Sequence, residues 1–195
     1  MTAPRDLRTV RLLLRSLVRE DVPDLVRLAG AKEIAATTMQ IPHPYSEDDA
    51  RSFLANVNED FLAGRTVSFA ITILPGGELC GAVGLHIADA HKRAELGYWI
   101  GVPFWGKGYA TEAASAAVAF GFQNLRLNRI YAQHFAGNTA SQRVLEKIGM
   151  RHEGSFPQHI QKWGRFVDVE NYALLANDFR GGEPAGRSEV SRESE

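Results

Sequence analysis

Glu95-Leu96-Gly97-Tyr98-Trp99-Ile100-Gly101-Val102-Pro103-Phe104-Trp105-Gly106-Lys107-Gly108-Tyr109-Ala110-Thr111-Glu112-Ala113 is the stretch on which the reading of this chain turns. It reads as a strand, a tight glycine turn and the start of a helix. That order builds an anion site, because the first N–H groups of a helix have no partner within it and its dipole favours negative charge. Gly106 and Gly108 lack a Cβ, so a phosphate can come close to the backbone, and Lys107 adds a positive charge at the rim.

Three phosphate ligands compete for such a loop. Gly101-x-x-x-x-Gly106-Lys107 nearly matches a P-loop, but Gly108 stands where Ser or Thr must ligate magnesium, and no acidic Walker-B-type strand follows. Gly106-x-Gly108 also begins a dinucleotide fingerprint. There Thr111 replaces the third glycine, and the loop follows an antiparallel meander instead of opening a βαβ unit. The pyrophosphate of coenzyme A fits best.

Working outward, Val67 to Leu74, Glu78 to Ile87 and Arg93 to Val102 read as three strands of that meander, with Pro75-Gly76-Gly77 as a turn. Val10 to Leu14 reads as a first strand, and Arg19-Glu20-Asp21 opens a helix with Val22, Leu25, Val26 and Leu28 at helical spacing. Ser46-Glu47-Asp48-Asp49 is a capping-box pattern. The helix behind it carries Ala50, Phe53, Leu54, Val57, Phe61 and Leu62 on one face and stops at Gly64. After the glycine loop come an alanine-rich helix (Ala110 to Phe122), a strand (Arg129 to Phe135), a helix (Thr139 to Ile148, with Gly149 at C′) and two strands, Arg151 to Gln161 and Val167 to Ala176. Helices interleaved with a mostly antiparallel sheet give a mixed α/β (α+β) class.

The loop, with Gly97-Tyr98-Trp99-Ile100 before it and Tyr109-Ala110-Thr111-Glu112-Ala113 after it, resembles the acetyl-CoA loop of the GNAT N-acetyltransferases, RimJ/RimL branch. A second block, Asn138-x-x-Ser141-x-x-Val144-Leu145-Glu146-Lys147-Ile148-Gly149-Met150, is similar to that branch's later helix. The resemblance implies a twisted sheet of about seven strands flanked by about four helices. It also implies a central splay between the strands ending at Val102 and Phe135, which leaves backbone groups free at Ile100 and Val102 for the pantetheine arm. Asn138 would bond the same arm. Ile100, Gly101, Val102, Trp105, Gly106, Lys107, Gly108, Tyr109, Ala110, Thr111, Asn138 and Ser141 thus become the cofactor-binding residues.

The implied activity is direct transfer of an acetyl group from acetyl-CoA to a primary amine, a peptide N-terminus or a small amine. A non-catalytic acyl-CoA-binding module and a nucleotide-binding switch are the other classes weighed. An amine at neutral pH is mostly protonated, so the reaction needs a proton acceptor. The branch pattern puts it at Glu95; the alternative is a strand glutamate paired to a cation such as Arg93. It puts the proton donor for the leaving thiolate at Ser141, whose other reading is a hydroxyl at a helix N-terminus. The tyrosine of many GNAT members falls at Leu145 here, and Pro103 replaces the usual Arg or Gln before the first glycine. The N–H of Ile100 is the expected donor to the thioester oxygen. Trp99, Trp105 and Trp163 read either as packing groups or as walls of an amine pocket. The acceptor cleft is expected between Lys32 to Tyr45 and Phe156 to Phe166.

The chain has 195 residues, 45% hydrophobic and 23% charged, which suits one globular domain. Its 22 basic and 23 acidic residues leave a net charge of -1, which argues against a general nucleic-acid binder. The lone Cys80 sits in an apolar run and reads as a small buried strand residue. Six histidines show no metal-ligand spacing, so no metal is assigned. No apolar run approaches the ~20 residues of a membrane span. The expectation is a cytoplasmic enzyme with no membrane partner, forming a homodimer as relatives often do. The domain is placed at residues 7–179, with residues 180–195 a disordered polar tail.

Overall fold

The computed structural model describes residues 6–180. The expected polar tail therefore lies, beyond Arg180, outside the described residues. Among the described residues eight strands form one sheet, in the order β1-β2-β3-β4-β5-β6-β8-β7. They are β1 (Leu7–Arg8), β2 (Leu12–Arg15), β3 (Thr66–Ile73), β4 (Glu78–Ala88), β5 (Arg93–Ile100), β6 (Arg129–Phe135), β7 (Arg151–Lys162) and β8 (Arg165–Leu175). Five helices of the described residues flank it: α1 (Val22–Ala29), α2 (Lys32–Thr37), α3 (Glu47–Leu62), α4 (Tyr109–Gln123) and α5 (Thr139–Lys147).

The sheet has one strand more than expected. β1 is two residues long and pairs with Leu13 and Leu14 of β2 through a tight turn closed by Thr9, too short to leave an alternating pattern. α2 is a six-residue addition of the same kind. The expected meander is there: β3, β4 and β5 pair antiparallel from Thr66↔His86 to Ala88↔Arg93.

Local sequence sets the helix ends. Ser46 Oγ accepts the Asp49 N–H at 3.2 Å while Asp49 Oδ2 accepts the Ser46 N–H at 2.7 Å, the reciprocal box that starts α3. α5 stops in a Schellman turn: the Gly149 N–H meets the Glu146 carbonyl, and the Met150 N–H meets that of Leu145. Phe53, Leu54, Val57 and Phe61 of α3 pack on the core as expected. Leu62 does not; it is 62% exposed, because it stands one residue past the 57–61 row and so about 100° round the helix. The first helix begins with a 3-10 turn at Arg19–Asp21, where buried Asp21 accepts two bonds from Arg15 and one from the Val18 N–H.

α4 lies on the face that carries Leu85 and Ile130, which crowd Gly121 of that helix. Ala113, Ala114 and Ala117 are fully buried there, so small side chains let α4 sit close to the sheet. α1 packs on β4 and α3 on β3, and the two helices also pack on each other.

The feature that positions the site is in the middle of the sheet. β5 and β6 run parallel but pair only at Arg93↔Arg129, Ala94↔Ile130 and Glu95↔Tyr131. Beyond Glu95, β5 stays with β4 as far as Gly81↔Ile100, while β6 stays with β8 as far as Phe135↔Val169. Each strand keeps one neighbour and leaves the other, so a wedge opens between them.

Candidate active site

Glu95 sits at the vertex of the wedge, and its carboxylate accepts a long 3.4 Å hydrogen bond from the Tyr131 hydroxyl. Burial and the Glu95 charge push the Tyr131 phenol above its ordinary range. Across β4, His86 is the direct cross-strand neighbour of Glu95, and its Nδ1 lies 3.1 Å from the Thr66 hydroxyl. Arg93 does not take the role of a partner for Glu95; its guanidinium lies over the Tyr131 ring, 5.9 Å from the centroid.

The wedge wall on β5 follows from strand alternation. The Gly101 N–H bonds the Cys80 carbonyl at 2.8 Å, so the odd residues of β5 face β4. The backbone groups of Leu96, Tyr98 and Ile100 then face the wedge. Two details differ from expectation. The Ile100 carbonyl is taken by the Trp105 indole N–H, leaving the Ile100 N–H as the group on offer. Val102 has left the strand for a 3-10 turn, Val102–Phe104, in which Pro103 fits the first turn of a helix; the Val102 carbonyl accepts the Trp105 N–H.

At the mouth of the wedge is the glycine loop. Gly106 and Gly108 have φ of 74° and 80°, the left-handed region open to glycine. A Cβ on Gly106 would meet nothing within 4 Å, so the loop faces open space. Gly108 is the N-cap of α4 and no side chain caps that end, leaving the first-turn N–H groups of Tyr109, Ala110 and Thr111 unpartnered. Lys107 lies over the Phe104 ring at 5.3 Å and Arg11 over the Tyr109 ring at 5.0 Å, so two cations flank the loop.

Sequence reasoning missed Arg11 and Glu112. Glu112 accepts from the Thr9 hydroxyl (2.6 Å), the Arg11 N–H (2.8 Å) and Arg11 Nε (2.7 Å), while Arg11 also donates to the Lys107 carbonyl at 2.9 Å. Burial alone would raise the Glu112 pKa. The bonds from Thr9 and Arg11 and the Arg11 charge outweigh it and hold the carboxyl below its ordinary range. Nothing local announces a pairing across 101 residues.

The other wall belongs to α5. Asn138 is its N-cap, and its Oδ1 accepts the Ser141 N–H at 3.1 Å. Its carbonyl oxygen is thus committed to the helix, and its NH₂ remains for a ligand. The Ser141 hydroxyl lies 2.8 Å from the Tyr98 hydroxyl. Leu145 is fully buried in the core.

The two segments expected to line the acceptor cleft do meet. Lys162 Nζ of β7 donates to the carbonyls of Thr38 (2.8 Å) and Ile41 (3.2 Å), after α2. Trp163 and Phe166 are exposed at the tip of the β7–β8 hairpin. Trp99 is half-buried against the core and Trp105 is exposed. Cys80 is a fully buried strand residue as read, and burial pushes its thiol up to about 12. Among the described residues no group of three His, Cys, Asp or Glu could hold a metal ion, and no helix is long and apolar enough to cross a membrane.

The split between the parallel strands thus carries an uncapped helix N-terminus at its mouth, a carboxylate at its vertex and a hydroxyl on its far wall. Residues 11–151 match the acetyltransferase (GNAT) domain, and the chain belongs to that family of N-acetyltransferases. It is 32% identical to the uncharacterized N-acetyltransferase p20 of Bacillus licheniformis, over 90% of this chain and 98% of that one. The fold is shared with RimL, the ribosomal L7/L12 alpha-N-protein acetyltransferase solved with coenzyme A. Their TM-score is 0.82 at 20% identity, covering 91% of this chain and all of that one. It is also similar to spermidine N-acetyltransferase from Vibrio cholerae, solved with CoA and spermine, with a TM-score of 0.75 at 25% identity, over 86% of this chain and 96% of that one.

Proposed function

We propose that the wedge binds acetyl-CoA and that the enzyme passes the acetyl group directly to the α-amine of a peptide or protein. The observation that carries this reading is the end of β5–β6 pairing at Glu95↔Tyr131. It leaves a strand-like slot for the peptide-like pantetheine arm, and it sets a carboxylate where the slot closes. The pyrophosphate would lie on the N–H groups from Gly106 to Thr111, flanked by Lys107 and Arg11. The NH₂ of Asn138 would hold the arm.

Glu95 then takes the proton from the incoming ammonium, directly or through a water. An α-amine, with an ordinary pKa of about 7.7–8.0, needs only modest help. As the tetrahedral intermediate forms, its oxygen meets the Ile100 N–H, already aimed into the wedge. Collapse expels the coenzyme A sulfur as a thiolate, which the Ser141 hydroxyl meets from α5, and the extra proton left on the nitrogen passes to that sulfur, giving the amide and free coenzyme A.

The acceptor face favours a peptide. The hairpin tip joined to the α2–α3 loop by Lys162 carries Trp163 and Phe166 exposed, surface that suits side chains behind a terminal amine. A small polyamine is the second reading, supported by the likeness to the spermidine enzyme. A cytoplasmic setting, where acetyl-CoA is made, suits either acceptor.

The test is thiol release from acetyl-CoA, read with a thiol reagent, against short peptides differing in residue one and against polyamines, aminoglycosides and amino acids. Cys80 is buried and contributes no background. Peptide-dependent release supports the proposal. Release with polyamines alone moves the acceptor to the second reading. Acetyl-CoA binding without release from any acceptor favours a non-catalytic binding module.

A further inference from the structure

We propose that Tyr98 is a positioning residue that acts through Ser141, turning the serine hydroxyl into a hydrogen-bond donor to the coenzyme A sulfur. The inference rests on the reading above that Ser141 meets that sulfur.

Tyr98 lies three residues beyond Glu95 on β5, about 10 Å along the strand, where β6 has already diverged. It shares the α4 face with Leu96 and Ile100, since its cross-strand partner Val83 alternates in step with Leu85. From there its hydroxyl reaches to α5 and meets Ser141 Oγ at 2.8 Å. This contact joins the two walls of the wedge. The backbone of the serine is anchored beside it, because the Ser141 N–H donates to Asn138 Oδ1.

Two proton arrangements satisfy the pair. In one, Ser141 donates to Tyr98, and the phenol turns to the Ser141 carbonyl at 3.4 Å. In the other, Tyr98 donates to Ser141 Oγ, and the serine proton is free to point elsewhere. A negative charge growing on a sulfur beside Oγ selects the second, because only that arrangement turns a proton toward the charge. Tyr98 must remain protonated to play this part. Burial pushes its phenol up to about 12, against the opposing pull of the Ser141 bond. No proton leaves Tyr98; it supplies direction and polarisation.

The test needs no acceptor amine. Coenzyme A in its thiol form is bound to the full chain, and its thiolate is titrated by ultraviolet absorbance, with the titration of the coenzyme-free protein subtracted. The subtraction also removes Cys80, whose thiol burial pushes up to about 12. A donor to the thiolate lowers the bound thiol's pKa. Tyr98→Phe is expected to raise it by about one unit, the size of a hydrogen bond to a charged group. Ser141→Ala is expected to do at least the same, and the double variant to add nothing to Ser141→Ala. A wild-type circular dichroism spectrum and melting curve for Tyr98→Phe report an intact fold.

A Tyr98→Phe protein whose bound thiol titrates like the wild type overturns the proposal, as does a double variant in which the two shifts add. If Ser141→Ala also leaves the thiol unmoved, the Ser141 reading falls with it; a shift in Ser141→Ala alone removes only Tyr98. Should Tyr98→Phe not fold, 3-fluorotyrosine at position 98 keeps the ring and strengthens the donor. The bound thiol must then titrate lower, and no movement overturns the proposal.

Discussion

Glu112→Ala tests how the glycine loop is held. The substitution removes the acceptor for the Thr9 hydroxyl, for the Arg11 N–H and for the Arg11 guanidinium at once. Hydrogen bonds to a charged group contribute about 1.5 kcal/mol or more each. The Arg11 side chain is 48% exposed, so its ion pair adds at most about 1 kcal/mol, and water replaces part of what is lost. The net loss should be about 2 kcal/mol, or roughly 4–8 °C in Tm for a chain of this size. Binding should weaken too, because Arg11, cut loose from Glu112, no longer steadies the Lys107 carbonyl. The dissociation constant of acetyl-CoA should rise severalfold by calorimetry. The pH dependence carries a sign. Glu112 has a depressed folded-state pKa, so its stabilisation is present above the ordinary carboxylate value and is lost as pH falls through the folded one. The variant should therefore lose less stability than the wild type between about pH 5 and the acid transition. A variant with the wild-type Tm and the wild-type acetyl-CoA affinity would refute this account of the loop.

Glu95→Gln should lower kcat by about 10²–10⁴ with acetyl-CoA affinity unchanged, measured by steady-state kinetics and calorimetry; equal loss of both would mean a structural role. Gly106→Ala meets nothing within 4 Å, so it should cost only the left-handed strain of about 1–2 kcal/mol in urea melts. Its methyl group would still stand where the phosphate approaches, so acetyl-CoA should bind at least about tenfold more weakly, about 1.4 kcal/mol. Asp21→Ala leaves Arg15 and the Val18 N–H without their buried acceptor and should lose about 3 kcal/mol without touching the kinetics of the folded enzyme.

What the sequence disclosed was mostly local. The glycine loop, the Ser46–Asp49 box and the Schellman glycine at 149 are written in neighbouring residues, because each needs one special φ or one side chain within a turn of its partner. Glu95 stood out as a candidate base through the resemblance of the surrounding motif, but not as the residue where β5–β6 pairing ends. The contacts that organise the site were not legible. Arg11 with Glu112, Tyr98 with Ser141 and Lys162 with Thr38 join residues 101, 43 and 124 positions apart. Such pairs depend on strand order and register, which composition and periodicity do not set. The end of β5 was misplaced by two residues for a related reason. Trp99-Ile100-Gly101-Val102 is apolar throughout, and the ladder stops where the Gly101 carbonyl turns from β4 to the Phe104 N–H of the 3-10 turn.

The most direct test of the central claim is the structure of the enzyme with acetyl-CoA. The account predicts the pantetheine arm between β5 and β6, bonded to the β5 backbone at Tyr98 and Ile100, with the pyrophosphate on the N–H groups from Gly106 to Thr111 and the thioester between Glu95 and Ser141. Acetyl-CoA bound outside the wedge, or a wedge closed by continued β5–β6 pairing, would contradict it.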